Sequence, residues 1–283
     1  MVAYRNGQPS DKLRRLQAAQ KDLAVRLVDY CRQRGLQPFL VAGSALGAWR
    51  DQGMIAWDDD IDLGLLRKDY DALTAAWMRE PMPGVTLQNW CMTPGFPFAF
   101  AKLRLDGTRV DESTALGPGF HQGIFIDIFP FDFLPRAAPW RWLQFGALLV
   151  CNLFILSFSR RAALNATAPF FRMLRLAALA MRPLVPLNAF VALSEWAYRV
   201  PGIAKSETCV SFNMYGVRFW RRTRIARAAL VPPVNVPFGD VQMPVPADCH
   251  AYLCGIFGDY RQLPPPAAQR PGHIHDVDFG DAG

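Results

Sequence analysis

Apolar residues recur every three or four positions along Leu13, Leu16, Ala19, Leu23, Leu27 and Tyr30. That spacing predicts a helix over Lys12–Arg34 with one buried face, capped by Ser10 and stopped by Gly35. Pro38–Val41 is a short apolar run of the kind that forms a buried strand, and Gly43–Ser44 opens another helix. From Trp57 to Leu65 the period shortens to two, the signature of a half-buried strand. Helical spacing returns over Tyr70–Met78, and two strand patterns follow at Phe98–Leu105 and Gly123–Phe129. Later come Pro- and Gly-rich connections (Val231–Pro246), a short helix near Ala247–Phe257 and a proline-rich tail. There is no internal repeat. Helices interleaved with short strands predict an α/β or α+β domain, a mixed sheet with flanking helices.

One segment breaks this pattern. Trp142–Ser159 is an uncharged, apolar run of 18 residues, followed by apolar stretches around Leu174–Ala180 and Leu184–Leu193. Between Pro135 and Ser194 there is no Asp or Glu, but there are seven arginines, at 136, 141, 160, 161, 172, 175 and 182. We read 136–194 as a helical insert that interrupts a domain built from 1–135 and 195–283. Eighteen residues is the lower edge of a transmembrane span. Positive charge lies on both sides of the run, so it gives no insertion direction. Helices lying in the headgroup layer, with Trp140, Trp142 and arginines at the boundary, suit the pattern better. A buried helical subdomain and a true span are the other two readings.

The chain's net charge is +7, so the arginines of this segment equal the whole excess. Such a balance points to anionic partners: a membrane surface, a nucleic acid or phosphorylated substrates. At 51% hydrophobic and 19% charged, the chain is neither disordered nor fibrous. The six cysteines form no CxxC pair, which fits reduced, mostly buried thiols in an intracellular setting. Cys249-His250 with Cys254 lacks a fourth ligand at zinc spacing. The N-terminal residues contain no signal-type apolar core, so the expectation is a cytoplasmic protein at the inner face of the cell membrane. No nucleic-acid-binding motif accompanies the arginines, so nucleic acid is not an expected partner.

The chemistry concentrates in Trp57-Asp58-Asp59-Asp60-Ile61-Asp62. On extended backbone Asp58, Asp60 and Asp62 share one face and Asp59 points away. Carboxylates that close raise one another's pKa unless a cation neutralises them, and hard Mg²⁺ or Mn²⁺ takes such oxygen ligands. Upstream, an apolar run passes through Gly43 and Ser44 into a helix, an arrangement that suits a phosphate, with Arg50 as a cationic partner. Downstream lies a second acidic strand, Ile126-Asp127-Ile128. Lys102 and Arg104 share a strand face and are candidate phosphate ligands. His121 stands as a base or donor ligand, and Arg270, His273 and His275 form a basic tail able to close over a diphosphate.

This order of phosphate loop and carboxylates is similar to that of the nucleotidyltransferase superfamily. More specifically, GSALGAWRDQGMIAWDDDIDLGL (Gly43–Leu65) resembles the signature of the LicD family, which includes the fukutin-related proteins. Lys102-Leu103-Arg104, the run His121–Pro130, Phe238-Gly239 and Phe257-Gly258-Asp259-Tyr260 agree in order, the last with Phe in place of the family's usual Tyr. The resemblance implies a nucleotidyltransferase-like fold. It also implies transfer of phosphocholine or a polyol phosphate from a CDP-linked donor to a glycan or lipid-linked glycan. Asp60, Asp62 and Asp127 would be catalytic, and these with Asp58 would hold Mg²⁺ or Mn²⁺. Gly43, Ser44, Arg50, Lys102, Arg104, His121, Arg270 and His273 would meet the substrates. Two other classes stay open: a true nucleotidyltransferase that releases pyrophosphate, and a non-catalytic membrane-binding protein.

Overall fold

The first helix begins where its cap predicts: Ser10 Oγ accepts the Leu13 amide at 3.2 Å and α1 runs from Asp11 to Arg32. A computed structural model describes the chain except residues 6, 97, 113–118, 158–172, 174–186, 200–206, 212–223 and 281–283. The N-terminal strands β1 (Tyr4–Arg5) and β2 (Gln8–Pro9) precede α1; β3 (Phe39–Leu40), α2 (Ala42–Leu46) and a π-helical turn (Gly47–Asp51) follow it. Next come β4 (Asp62–Leu66), α3 (Arg67–Arg79), β5 (Val85–Gln88), β6 (Ala101–Leu105), β7 (Arg109–Glu112) and β8 (Phe125–Phe133). Helices α4 (Ala138–Ser157) and α5 (Leu187–Tyr198) lead to β9 (Thr208–Val210), β10 (Ile225–Ala226) and the short α6 (Arg227–Leu230). The chain then adds β11 (Val234–Phe238), β12 (Val241–Val245), α7 (Cys249–Phe257) and β13 (Ile274–Asp278).

The expected α+β class with a mixed sheet is what forms. Among the described residues the main sheet has seven strands, ordered β10-β9-β8-β4-β3, with β6 also on β8 and β5 on β6. The β4–β8 pair is parallel and the other pairs are antiparallel. Strand β8 is central, nine residues long and buried along most of its length. It also carries Pro130, which has no N–H to give a ladder. The Asp127 amide donates to Ile61 O on the β4 side, so residue 130 would point its N–H to the opposite edge. There the β6 pairing ends at Ile128 and the β9 pairing starts at Asp132, so the proline falls in the gap between two partners. The strand therefore continues past the predicted end at Phe129.

Two further expectations change. The alternation over Trp57–Leu65 is correct as burial but not as a ladder: only Asp62–Leu66 pairs, and residues 58–61 run as irregular backbone. The region expected to be connections, Val231–Pro246, holds the β11–β12 hairpin, closed at Gly239–Asp240 with Gly239 at φ +69°. The tail likewise forms β13, which pairs with β7.

The largest core cluster joins α1, the main sheet, α3, the β11–β12 hairpin and α7. A second joins the start of α1 to β7, β8 and β13, and a third joins α4 and α5 to Leu134 and Val210. All but the last two residues of the long apolar run thus lie in α4, and the Leu184–Leu193 stretch contributes to α5. Leu174–Ala180 and Arg160, Arg161, Arg172, Arg175 and Arg182 lie outside the described residues. Helix α5 continues through 194–195, and its far end packs on the main domain.

A buried ion network fastens that end. Arg67, at the start of α3, clamps Asp132 of β8 with two hydrogen bonds of 2.6 and 2.8 Å and gives a third of 3.0 Å to Glu195 of α5. Cutting one side chain to Arg67→Ala would leave two buried carboxylates without their shared cation, a change that costs about 3–5 kcal/mol. Thermal melts should show a drop of roughly 10 °C at neutral pH. An unchanged midpoint would mean the network adds nothing to stability.

Candidate active site

The acidic segment lies at one end of the parallel strand pair. Asp62 opens β4, and the register sets it beside Asp127 of β8, which is in turn opposite Lys102 of β6. Register partners share a face of the sheet, so the three side chains stand side by side across adjacent strands about 4.8 Å apart. Asp58 and Asp60 reach the same region along the irregular stretch before β4. Burial alternates as the sequence pattern predicts: Asp58, Asp60 and Asp62 are half-buried, while Asp59, Ile61 and Leu63 are buried.

Backbone bonds hold this stretch where no ladder does. Gln17 of α1 donates to Asp58 O at 2.8 Å, and Gln20 donates to Asp59 O at 2.9 Å and Phe125 O at 3.2 Å. Gln20 is fully buried within the apolar face of α1. It went unnoticed in the sequence, although a glutamine at a core position of a helix is itself a signal that something there must be hydrogen-bonded. Ser44 Oγ accepts the Asp62 amide at 2.9 Å. At Gly43 an added Cβ would stand 2.8 Å from Asp58 Oδ2. The Gly-Ser step therefore borders the carboxylates directly and gives them room.

Asp59 faces the other way and does different work. Its Oδ1 accepts the Gly272 amide at 3.1 Å, and its Oδ2 accepts those of His273 and Ile274 at 2.9 and 2.6 Å. One fully buried carboxylate thus pins the tail, and the pinned tail sets His273 Nε2 3.4 Å from Asp60 Oδ2. Arg270, exposed, lies three residues before it.

Not every candidate joins this group. Lys102 does: it is buried, 2.8 Å from Asp127 Oδ1, 3.5 Å from Glu112, and its Nζ stands over the Phe125 ring. Arg104 is turned into the interior, donating to Gln88, Gly123 O and Glu112 at 2.6, 2.9 and 2.6 Å. His121 Nδ1 accepts the Gly123 amide, and its Nε2 meets Asp106 at 3.0 Å. Arg50 grips Asp51 with two bonds and reaches Tyr260 O at 3.4 Å. None of these three forms a hydrogen bond or ion pair with the four aspartates, although the charge of Arg104 acts on Asp127.

The electrostatics follow from crowding. Burial pushes Asp58 and Asp62 well above the carboxylate range, and the neighbouring aspartates push further. Asp60 is raised to about 6 by burial and by Asp127 and Asp59, against the pull of His273 and Lys102. Asp127 is also raised by burial, with Lys102 offsetting part of the rise. Glu112, buried too, is nevertheless held below its ordinary value because Lys102 and Arg104 outweigh its burial.

Residues present fit a hard divalent cation. The donors are all carboxylate oxygens, and one lysine faces four raised aspartates. Asp127 Oδ1 is buried with no hydrogen bond, its ion-pair distance to Lys102 notwithstanding. Among the described residues, the three groups whose ligand atoms lie within 4.8 Å of one another are Asp59, Asp60 and His273. Asp59 already accepts three amides, which assigns it to the tail.

The chain is similar to known proteins. Residues 35–143 match the family described as LicD/FKTN/FKRP, nucleotidyltransferase domain, a span that holds Gly43, Ser44 and all four aspartates. Over that span the chain is similar to the LicD family. It is 22% identical over 271 residues to the lipopolysaccharide cholinephosphotransferase LicD of Haemophilus influenzae, covering 91% of this chain and 96% of that protein.

Two measurements test the geometry. With chelator present, Asp60 costs stability only once it must ionise. The penalty is absent below about pH 4, grows as pH rises and is complete above about pH 6. Asp60→Asn should therefore gain roughly 2–3 kcal/mol over wild type between those limits in denaturant melts; parallel pH curves would refute the crowding. Gly43→Ala should leave the melting temperature within about 2 °C of wild type, since only the end of the Asp58 side chain must move. A large loss of stability would show that Gly43 serves the backbone instead.

Proposed function

We propose that this protein is a LicD-type, metal-dependent transferase. It moves a substituted phosphate, phosphocholine or a polyol phosphate, from a CDP-linked donor to a hydroxyl of a glycan or lipid-linked glycan, and it releases CMP. The observation that carries the reading is the register of Asp62 with Asp127, which gathers carboxylates from two parallel strands beside Asp58 and Asp60. The activity in the name of the Haemophilus influenzae relative favours choline phosphate and a lipopolysaccharide acceptor. Residues 1–135 and 195–283 would form the catalytic domain and 136–194 an insert.

Asp58, Asp60, Asp62 and Asp127 would hold Mg²⁺ or Mn²⁺, which when bound neutralises charge on the donor diphosphate and the departing CMP. The protein's own groups do the rest. Lys102 keeps Asp127 ionised from behind. Gly43 and Ser44 border the diphosphate on one side, and the pinned tail presents His273 and Arg270 from the other. Asp62, raised by burial and by the neighbouring aspartates, accepts the proton of the acceptor hydroxyl as its oxygen attacks the distal phosphorus. The bond from that phosphorus to the bridging oxygen breaks, and CMP departs with the electron pair.

Isotope distinguishes the two bonds that can break. Donor labelled at the distal phosphorus should pass its label to the glycan in the presence of Mg²⁺, whereas label in the cytosine ring should appear in free CMP. Asp62→Ala should lower this transfer by at least about a thousandfold with the fold retained in circular dichroism. Cytosine label on the acceptor would establish nucleotidyl transfer instead.

A further inference from the structure

Helices α4 and α5 pack against each other, and Gln144 of α4 donates to Ala197 O of α5 at 3.0 Å. The start of α4 therefore lies against the end of α5. Each helix buries one face: Gln144, Leu148 and Cys151 in α4, and Val191, Glu195 and Tyr198 in α5. The opposite faces are also apolar. On α4 the outward positions are Trp142, Leu143, Gly146 and Val150; on α5 they are Ala189, Ala192, Leu193 and Trp196. A helix at a protein–water boundary presents charge outward, so helices apolar on both sides face something other than water. Trp140, Trp142, Leu143 and Trp196 are each at least half exposed, and all four lie at the end where α4 begins and α5 finishes.

That end also carries positive charge. A cavity of about 270 Å³ at the foot of α4 is lined by Arg136, Arg141 and Arg224, with Glu207 as its carboxylate. Along the sequence no acid intervenes from Pro135 to Ser194. Among the described residues no helix is long and apolar enough to cross a membrane. Exposed tryptophans, an uncharged outer face and clustered arginines together match the boundary between lipid headgroups and acyl chains.

We propose that the outward face of the α4–α5 pair is a docking surface for an anionic lipid bilayer. Its tryptophans seat at the interface, and the arginines of the cavity take lipid phosphate. This inference does not rest on the transferase reading, because binding is measured without turnover.

Co-sedimentation of the full-length protein with vesicles tests it, using phosphatidylcholine alone and phosphatidylcholine with one quarter phosphatidylglycerol, at about 100 mM salt. Wild type should partition to the phosphatidylglycerol vesicles at least tenfold more strongly than to phosphatidylcholine. Leu143→Asp with Val150→Asp, both at exposed positions, should lower partitioning to both vesicles at least tenfold. Arg136→Glu should weaken binding about fivefold or more on phosphatidylglycerol vesicles only. The same variants read by light scattering distinguish another occupant: a wild-type dimer that these substitutions make monomeric would show that a second copy covers the face, and would overturn the proposal. Wild type staying in the supernatant, or variants sedimenting as well as wild type, would also overturn it.

Discussion

Crowding of negative charge at the end of the β4–β8 pair is the constraint around which this structure is built. Four carboxylates, all raised by burial and three of them also by neighbouring aspartates, meet one lysine in a half-buried corner. Left alone, such a cluster would relax by moving its members apart, since separation lowers their repulsion. The surrounding bonds oppose that relaxation. The parallel ladder holds Asp62 to Asp127; Gln17 and Gln20 hold the carbonyls of Asp58 and Asp59; Ser44 holds the Asp62 amide. Almost all of these bonds use backbone atoms, so the aspartate side chains remain available for ligands.

Asp59 shows how one motif serves two purposes. Its neighbours on either side belong to the cluster, whereas its own carboxylate satisfies three consecutive amides of a segment more than 200 residues away. Three accepted amides satisfy the hydrogen bonding of this buried carboxylate and tie it to the tail. The same bonds place His273 beside Asp60. The tail is thus fixed from within the acidic motif it covers, and strand β13 secures it again against β7.

Much of this was legible in the sequence, and the exceptions have physical causes. Period-two alternation over Trp57–Leu65 identified which aspartates share a face because burial, more than hydrogen bonding, sets that pattern. It could not tell that residues 58–61 lack a ladder, since glutamines of α1 supply their bonds from far away in sequence. The β11–β12 hairpin was hidden by Pro237 and Pro244, although Gly239–Asp240 between alternating residues is a two-residue turn signal. Arg104 read as a phosphate ligand and His121 as a base or donor ligand because charge is visible in sequence while its partner is not; Glu112 and Asp106 are those partners. Lys102 read as a phosphate ligand, and only the register reveals that it faces Asp127.

Strand β8 connects the acidic cluster to the α4–α5 pair. Asp127 stands near its start and Asp132 near its end, five residues on, a separation of about 17 Å along the strand. Asp132 is clamped by Arg67, and Arg67 holds Glu195 of α5, one residue before the exposed Trp196. Arg67 itself begins the helix that follows β4, the strand bearing Asp62. Both carboxylate strands therefore feed one buried arginine, and that arginine fixes the end of the helix whose outer face is apolar. A charge pair of this kind is poor at adding net stability but good at fixing one arrangement, because any displacement leaves a buried ion unpaired. The apolar face and the acidic cluster are consequently held in one orientation by the core itself, so a surface that seats α4 and α5 also sets the direction in which the carboxylates open.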